Sequence, residues 1–164
     1  MPVVAESITE NDFANDGKLS EASKIISSAT TWAAAAGAVP VPVLDLVALA
    51  AVQTRMIMDL SATYGQSFSK ESAKAIVSVM LGTLVPGVAT GALLGSAIKA
   101  APVVGSLAGM ISMAAFGAAA TYAVGKVFVR HLSSGGVVAD FSADAIKNEL
   151  KSEFRAAAAK QADK

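Results

Sequence analysis

Along the chain, polar and apolar positions follow helical spacing nearly everywhere, and no alternating strand pattern of any length occurs. Residues 1–19 are the exception. They are polar and aperiodic, carry Glu6, Glu10, Asp12 and Asp16 against Lys18, and end in the turn-forming Asn15-Asp16-Gly17. Such a stretch predicts a poorly ordered arm. A helix is expected from Ser20 as N-cap, with Glu21 in its first turn, to about Ala36 before Gly37. Its apolar positions are Ile25, Ile26, Ala29, Trp32, Ala33 and Ala36. Val39-Pro40-Val41-Pro42-Val43 then reads as a short extended connector, because each proline disfavours helix in the residue before it.

A second helix is predicted over roughly Val43–Tyr64, with Asp45 in its first turn near the positive end of the helix dipole. At 100° per residue, Asp45, Gln53, Arg55 and Asp59 fall within an arc of about 160°. That leaves Leu44, Val47, Leu49, Ala50, Ile57 and Leu60 for the apolar side. Arg55 and Asp59 are four apart and able to pair. Gly65 suits the position just past the helix end, and Ser69 caps a further helix with Glu71 in its first turn. That helix runs into Pro86-Gly87, which either kinks it or divides Lys70–Val85 from Gly87–Lys99. Pro102 to about Leu132 reads as the longest helix, with Lys126, Arg130 and His131 near its negative end and Ser134-Gly135-Gly136 stopping it. A last helix, Ser142 to about Lys160, places Ile146, Leu150 and Phe154 on one line and Lys147, Lys151 and Arg155 on the next.

Between Ala75 and Gly125 the only charge is Lys99. The runs on either side, Ala75–Ile98 and Ala100–Gly125, each exceed the ~20 apolar residues that cross a bilayer as a helix. Gly87, Gly91 and Gly95, then Gly105 and Gly109, recur every fourth residue and so share helix faces where backbones approach closely. They serve either as an assembly face between copies or as close packing within one hairpin. The Ile, Leu and Val residues of Ala75–Ile98 favour insertion by roughly 3–6 kcal/mol, and its glycines, proline and hydroxyls work against it. Lys70 and Lys74 precede the block and Lys126 and Arg130 follow it, which places both termini in the cytoplasm and Lys99 outside.

Composition sharpens this picture. Of the 164 residues 54% are hydrophobic but only 5% aromatic, a mixture suited to close helix packing. The net charge is zero, which leaves no electrostatic footprint for nucleic acid. There is no cysteine, hence no disulfide, thiolate metal site or cysteine nucleophile. The N-terminus lacks the apolar core of a secretory signal peptide, so membrane segments are expected to be internal. His131 is the only histidine and has no partner for a His pair or a nucleophile–base couple. Asp45, Arg55 and Asp59 read as a cap and an exposed ion pair, and Gly125-Lys126 lacks the first glycine of a phosphate-binding loop. No catalytic constellation, cofactor site or metal site emerges. The basic stripe Lys147, Lys151 and Arg155 suits either a membrane interface or, diluted by Glu149 and Glu153, the outer side of a docked helix.

From Ile25 to Leu132 the chain also resembles a known family. The pattern Pro40, Pro42, Asp45, Gln53, Met56, Tyr64 and Gly65 is similar to that of an uncharacterised domain found at the C-terminus of some Era-like GTPases and in YcjF-type bacterial inner-membrane proteins. The resemblance implies a bacterial, helical, membrane-associated module with no assigned activity. This chain carries no GTPase domain, so a GTPase would be a partner in trans.

These readings combine into an all-α bundle of about five or six helices around a Gly/Ala-rich apolar hairpin. Residues 1–19 form an arm, 20–133 a membrane-associated domain, and 134–164 a linker with an amphipathic helix. The expected function is non-enzymatic: a self-assembling scaffold, membrane-remodelling or stress accessory element at the bacterial inner membrane. Membrane lipid and further copies of the chain are the expected partners. The competing reading is a soluble or amphitropic cytoplasmic carrier that shelters an apolar ligand such as a lipid.

Overall fold

The computed structural model describes residues 10–38, 44–84 and 113–162. Five helices occupy them: α1 (Glu10–Gly37), α2 (Leu44–Thr63), α3 (Lys70–Leu84), α4 (Met113–Ser133) and α5 (Lys147–Ala162). A single 3-10 turn, Val138–Asp140, lies between α4 and α5, and no strand occurs among the described residues. The fold is all-α. Residues 85–112, with Lys99 and the series Gly87, Gly91, Gly95, Gly105 and Gly109, lie outside the described residues. The question of a kink or break at Pro86 and the middle of the expected hairpin lie there as well. The hairpin's outer parts, residues 75–84 and 113–125, belong to α3 and α4, where Val77, Met80, Ala119 and Val124 are buried in the bundle rather than free to span a membrane.

α4 is the axis. It packs against all four other helices. Ala118, Ala119, Ala120, Thr121, Ala123, Val124, Val127 and Phe128 are all buried, so α4 is enclosed on nearly every side. α1 lays Ala22, Ile26, Ala29 and Ala33 against it, and alanines let the two backbones come close. From α2 and α3, Met56, Ile57, Leu60, Val77 and Met80 complete the core.

Both long core helices end in the same way. Gly65 has φ +73° and Gly135 φ +86°, values in the left-handed region that a Cβ disfavours. After α2, Gly65 N–H donates to the Ala62 carbonyl and Gln66 N–H to that of Ser61, both at 2.9 Å. After α4, Gly135 N–H donates to Leu132 and Gly136 N–H to His131. These are two Schellman caps, which satisfy carbonyls the helices leave without partners. α3 begins as its sequence predicts, with Ser72 N–H donating to Ser69 Oγ at 3.1 Å.

Three expectations are corrected. α1 starts at Glu10 rather than Ser20. Gly17 alone costs a helix only ~1 kcal/mol, and the acidic residues ahead of it sit where the dipole favours negative charge. α5 starts at Lys147, because residues 143–146 form turns, with Ala145 N–H directed to Ser142 Oγ at 3.4 Å. Trp32, expected on the apolar side of α1, is 66% exposed. The buried residues Ala22, Ile26, Ala29 and Ala33 span only about 60° of the wheel, and Trp32 lies about 90° from their centre.

Candidate functional site

Of the signature residues inside the described chain, Gln53 and Met56 lie at the α2–α4 contact. Gln53, expected on the polar arc of α2, is fully buried, whereas Val47, expected on the apolar side, is 62% exposed. Leu49, Met56, Ile57 and Leu60 flank Gln53 on the wheel, so it sits in the middle of the buried face. Its Nε2 donates to Thr121 Oγ1 on α4 at 3.2 Å, while its Oε1 meets no protein donor. Met56, one turn on, places its Sδ against Gly125 of α4. Tyr64 and Gly65 form the α2 cap already described. Asp45 stands in the first turn of α2, and Pro40 and Pro42 lie outside the described residues. Gln53, Met56, Tyr64 and Gly65 therefore set helix contacts and a helix end; no reactive group is positioned by them.

Because Oε1 is already unpaired, the Gln53–Thr121 pair is a poor stabiliser of the core. Thr121→Val alone, which strands the buried amide of Gln53, is expected to cost about 1–3 kcal/mol. Adding Gln53→Met should recover most of that loss, since removing both partners leaves no unmatched polar atom. Chemical unfolding of the two single variants and the double variant measures the coupling.

Sequence reasoning missed a second glycine series, although its spacing is visible. Gly117, Thr121 and Gly125 recur every fourth residue along the α4 face that meets α1 and α2. A Cβ at Gly117 would stand 3.1 Å from the Ala33 carbonyl oxygen, and one at Gly125 only 2.7 Å from Ile26 Cγ1 and 3.1 Å from Met56 Sδ. These glycines hold α4 close to its neighbours within one chain. Also missed was Gln66, whose Nε2 donates to the Gly136 carbonyl while its Oε1 accepts from Val138 N–H at 2.7 Å. One amide thus ties the caps of α2 and α4 together.

His131 belongs to that same corner. Its Nε2 lies 2.9 Å from the Val137 carbonyl and its ring stands edge-on to Phe141, with centroids 5.2 Å apart. It packs and bonds locally. Among the described residues no group of three or more His, Cys, Asp or Glu side chains gathers to hold a metal ion.

The strongest charge cluster joins α4 to α5. Glu153 accepts from Lys126 Nζ and from Arg130 Nη2, each at 2.8 Å, and Glu149 accepts from Arg130 Nη1. Beneath it Leu150 is fully buried, and Phe154 meets Phe116 edge-on. α5 is thus a docked helix, with Lys147 and Arg155 exposed and Lys151 half-buried. The hydrogen bond from Lys126 holds the Glu153 carboxyl below the ordinary glutamate range, against the opposing effect of its burial. Arg130's own hydrogen bond to Glu153 raises its guanidinium.

The pH consequence follows from the sign of the Glu153 shift. A carboxylate depressed in the folded state stabilises above its unfolded value of about 4.3, and the gain disappears as pH falls through the lower folded value. Thermal unfolding followed from pH 7 downward should therefore show a falling midpoint below about pH 4.3. Glu153→Gln should lower the midpoint at pH 7 and shallow that acid limb.

A groove of about 1290 Å³ is bordered by α1, α2 and α3. Ile25 and Trp32 come from α1, Val47 and Met58 from α2, and Lys70 and Lys74 from α3. Its volume exceeds the ~300–1,000 Å³ of ordinary small-ligand pockets, and it holds no convergent set of buried polar groups. Lys24 pairs with Glu21 at 3.5 Å and Arg55 with Asp59 at 3.2 Å along its rim.

With this geometry in view, relatives become informative. Residues 14–159 match the family described as Domain of unknown function (DUF697). The chain belongs to this family. The match extends beyond the region of resemblance, Ile25–Leu132, and takes in most of α5, so the DUF697 unit of this chain includes the helix held by the α4–α5 ion cluster. A relative, Magnetosome membrane protein 22 of Magnetospirillum gryphiswaldense, is 38% identical over 133 residues, covering 81% of this chain and 68% of that protein. No solved structure matches the chain.

Proposed function

We propose that this DUF697 chain is a non-enzymatic, membrane-associated helical protein of the bacterial inner membrane. It self-assembles through Gly/Ala-lined helix faces as a scaffold, membrane-remodelling or stress accessory element. The observation that carries the reading is the 38% identity, over four-fifths of the chain, to a protein named for its place in a membrane. The single charge, Lys99, among residues 75–125 supports it on physical grounds. Among the described helices, α2 has one 18-residue window, Leu46–Thr63, long and apolar enough to cross a bilayer. Its Gln53 face is committed to the core, so the run between α3 and α4 is the better candidate for insertion. Those residues, 85–112, number 14 before Lys99 and 13 after it, fewer than the ~20 of a helical crossing, so the run enters the bilayer as a re-entrant segment with both termini on the cytoplasmic side. The family resemblance adds a GTPase in trans as a candidate partner.

Carbonate extraction of the expressed protein, followed by detergent release and mass determination, tests the reading. Retention through the carbonate wash, with an oligomer in detergent that dissociates in Gly91→Leu/Gly95→Leu, is the expected result. Release without detergent would overturn it, and the soluble carrier of an apolar ligand would take its place. Oligomers unchanged by both substitutions would remove the glycine face from the proposal.

A further inference from the structure

The groove side of the bundle has a chemistry of its own. Trp32 is the only tryptophan of the chain and is 66% exposed; Val47, across the groove, is 62% exposed. Large apolar side chains left this open need a covering partner more than isolated surface residues do, because both border the same concavity. On α3, Lys70, Lys74 and Ser78 are four apart and form the third border. Among the described residues, six charged side chains line the groove: Lys24, Arg55, Lys70 and Lys74 against Glu21 and Asp59. Both carboxylates are taken, by Lys24 and Arg55. Among the described residues, neither Lys70 nor Lys74 has a carboxylate within ion-pair distance, Glu71 included.

We infer that the α1–α2–α3 face, with Trp32 and Val47 near the ends of α1 and α2 that the chain joins and Lys70 and Lys74 at the start of α3, seats on the surface of an anionic phospholipid bilayer. The inference rests on the membrane reading above and adds the face and the lipid class. Tryptophan favours the headgroup level, where its ring is half in hydrocarbon and its N–H half in water. Lys70 and Lys74 meet anionic head groups there, and their stems lie along the apolar surface. A second copy of the chain is the poorer occupant, since a two-fold pairing of this face would set its uncompensated lysines against each other. Continuity also favours lipid: Lys74 is the last charge before the run that carries only Lys99. Seated in this way α3 lies along the bilayer, and the run leaves from its Leu84 end.

Because Trp32 is unique, its fluorescence reports this face alone. The test uses the full chain reconstituted in vesicles of phosphatidylcholine, or of an equal mixture with phosphatidylglycerol, each with and without brominated acyl chains. In the mixed vesicles Trp32 emission should shift to the blue and be quenched by the brominated lipid, with weaker quenching in phosphatidylcholine alone. Lys70→Gln/Lys74→Gln should lower the seating equilibrium by about thirty-fold, the combined contribution of two surface lysines. Their exposed positions make the fold insensitive to the change, which circular dichroism checks.

Unquenched Trp32 in protein that survives a carbonate wash would overturn this inference and leave the membrane reading standing. Loss of the protein on washing, with Trp32 still quenched before it, would overturn insertion and keep the lipid-facing surface. Quenching equal in the double glutamine variant and the parent would overturn the role of anionic lipid. A blue shift that grows with protein concentration in the absence of vesicles would assign the face to a second copy instead.

Discussion

Phe128→Ala should lower the stability of the fold by about 3–5 kcal/mol. Among the described residues Phe128 is the largest fully buried side chain, and it lies on α4, which packs against the other four helices. Its ring meets Phe141 edge-on, with centroids 5.2 Å apart and planes at 64°. Phe141 in turn meets His131, so the pair also fastens the segment after α4 to the core. Truncation removes the transfer energy of the ring, leaves a cavity that the surrounding helices close only in part, and loses the aromatic contact. Against a total of roughly 5–15 kcal/mol this is a large share. The midpoint of thermal unfolding, followed by circular dichroism, should fall by about 6–20 °C. Tyr122, on the same helix but 39% exposed, is the control; Tyr122→Ala should cost less than about 1 kcal/mol. Equal losses at the two sites would mean that α4 is not the enclosed axis of the bundle.

Leucine at Gly125 should cost about 3 kcal/mol, near the upper end of what overpacking usually imposes. Even the first added carbon stands 2.7 Å from Ile26 Cγ1 and 3.1 Å from Met56 Sδ, inside van der Waals contact on two sides. Because α1 and α2 are both in the way, relief requires α4 to move from two neighbours at once. Gly125→Ala should lose less, since the gain in helix propensity of ~1 kcal/mol offsets part of the clash. Gly82 in α3 separates the two effects. Nothing lies within 4 Å of a Cβ there, so Gly82→Ala should stabilise by about 0.5–1 kcal/mol. Denaturant midpoints of the three variants check the ranking. A leucine tolerated at 125 would show that α4 does not approach α1 and α2 so closely.

These two positions show how legibility varied along the chain. The end of α2 at Tyr64-Gly65, the cap at Ser69, the stop at Gly135-Gly136 and the Arg55–Asp59 pair were all readable in advance. Each depends on residues within about one helical turn, where backbone sterics and short-range hydrogen bonds decide the outcome. The buried line through Ile26, Ala29 and Ala33 was readable too, because a 3.6-residue repeat carries it. Trp32 was not, since periodicity marks the direction of an apolar face without its width. The neighbour that fixes the width is α4, almost a hundred residues away.

Gln53 is the sharper case. By its type it belonged with Arg55 and Asp59, and on the wheel it was compatible with either arc. Only Thr121, placed opposite by the packing of α4 on α2, gives its amide a partner and makes burial affordable. Gln66 likewise joins two caps seventy residues apart, from Gly65 to Gly135. The α4–α5 ion cluster turned Glu149 and Glu153, which dilute the basic stripe when α5 is viewed alone, into the residues that dock it.

By itself, then, the sequence determined the all-α class, most helix ends, the family, and the apolar stretch around Lys99 that carries the membrane reading. Those properties are local or compositional, and neighbours in the chain suffice to set them. Tertiary structure alone decided that α4 is the axis, that Gly117 and Gly125 are spacers, that Gln53 faces inward and that Trp32 faces outward. Those are properties of pairs of helices, set by which surfaces meet and how closely, and a single helix carries no record of its partner.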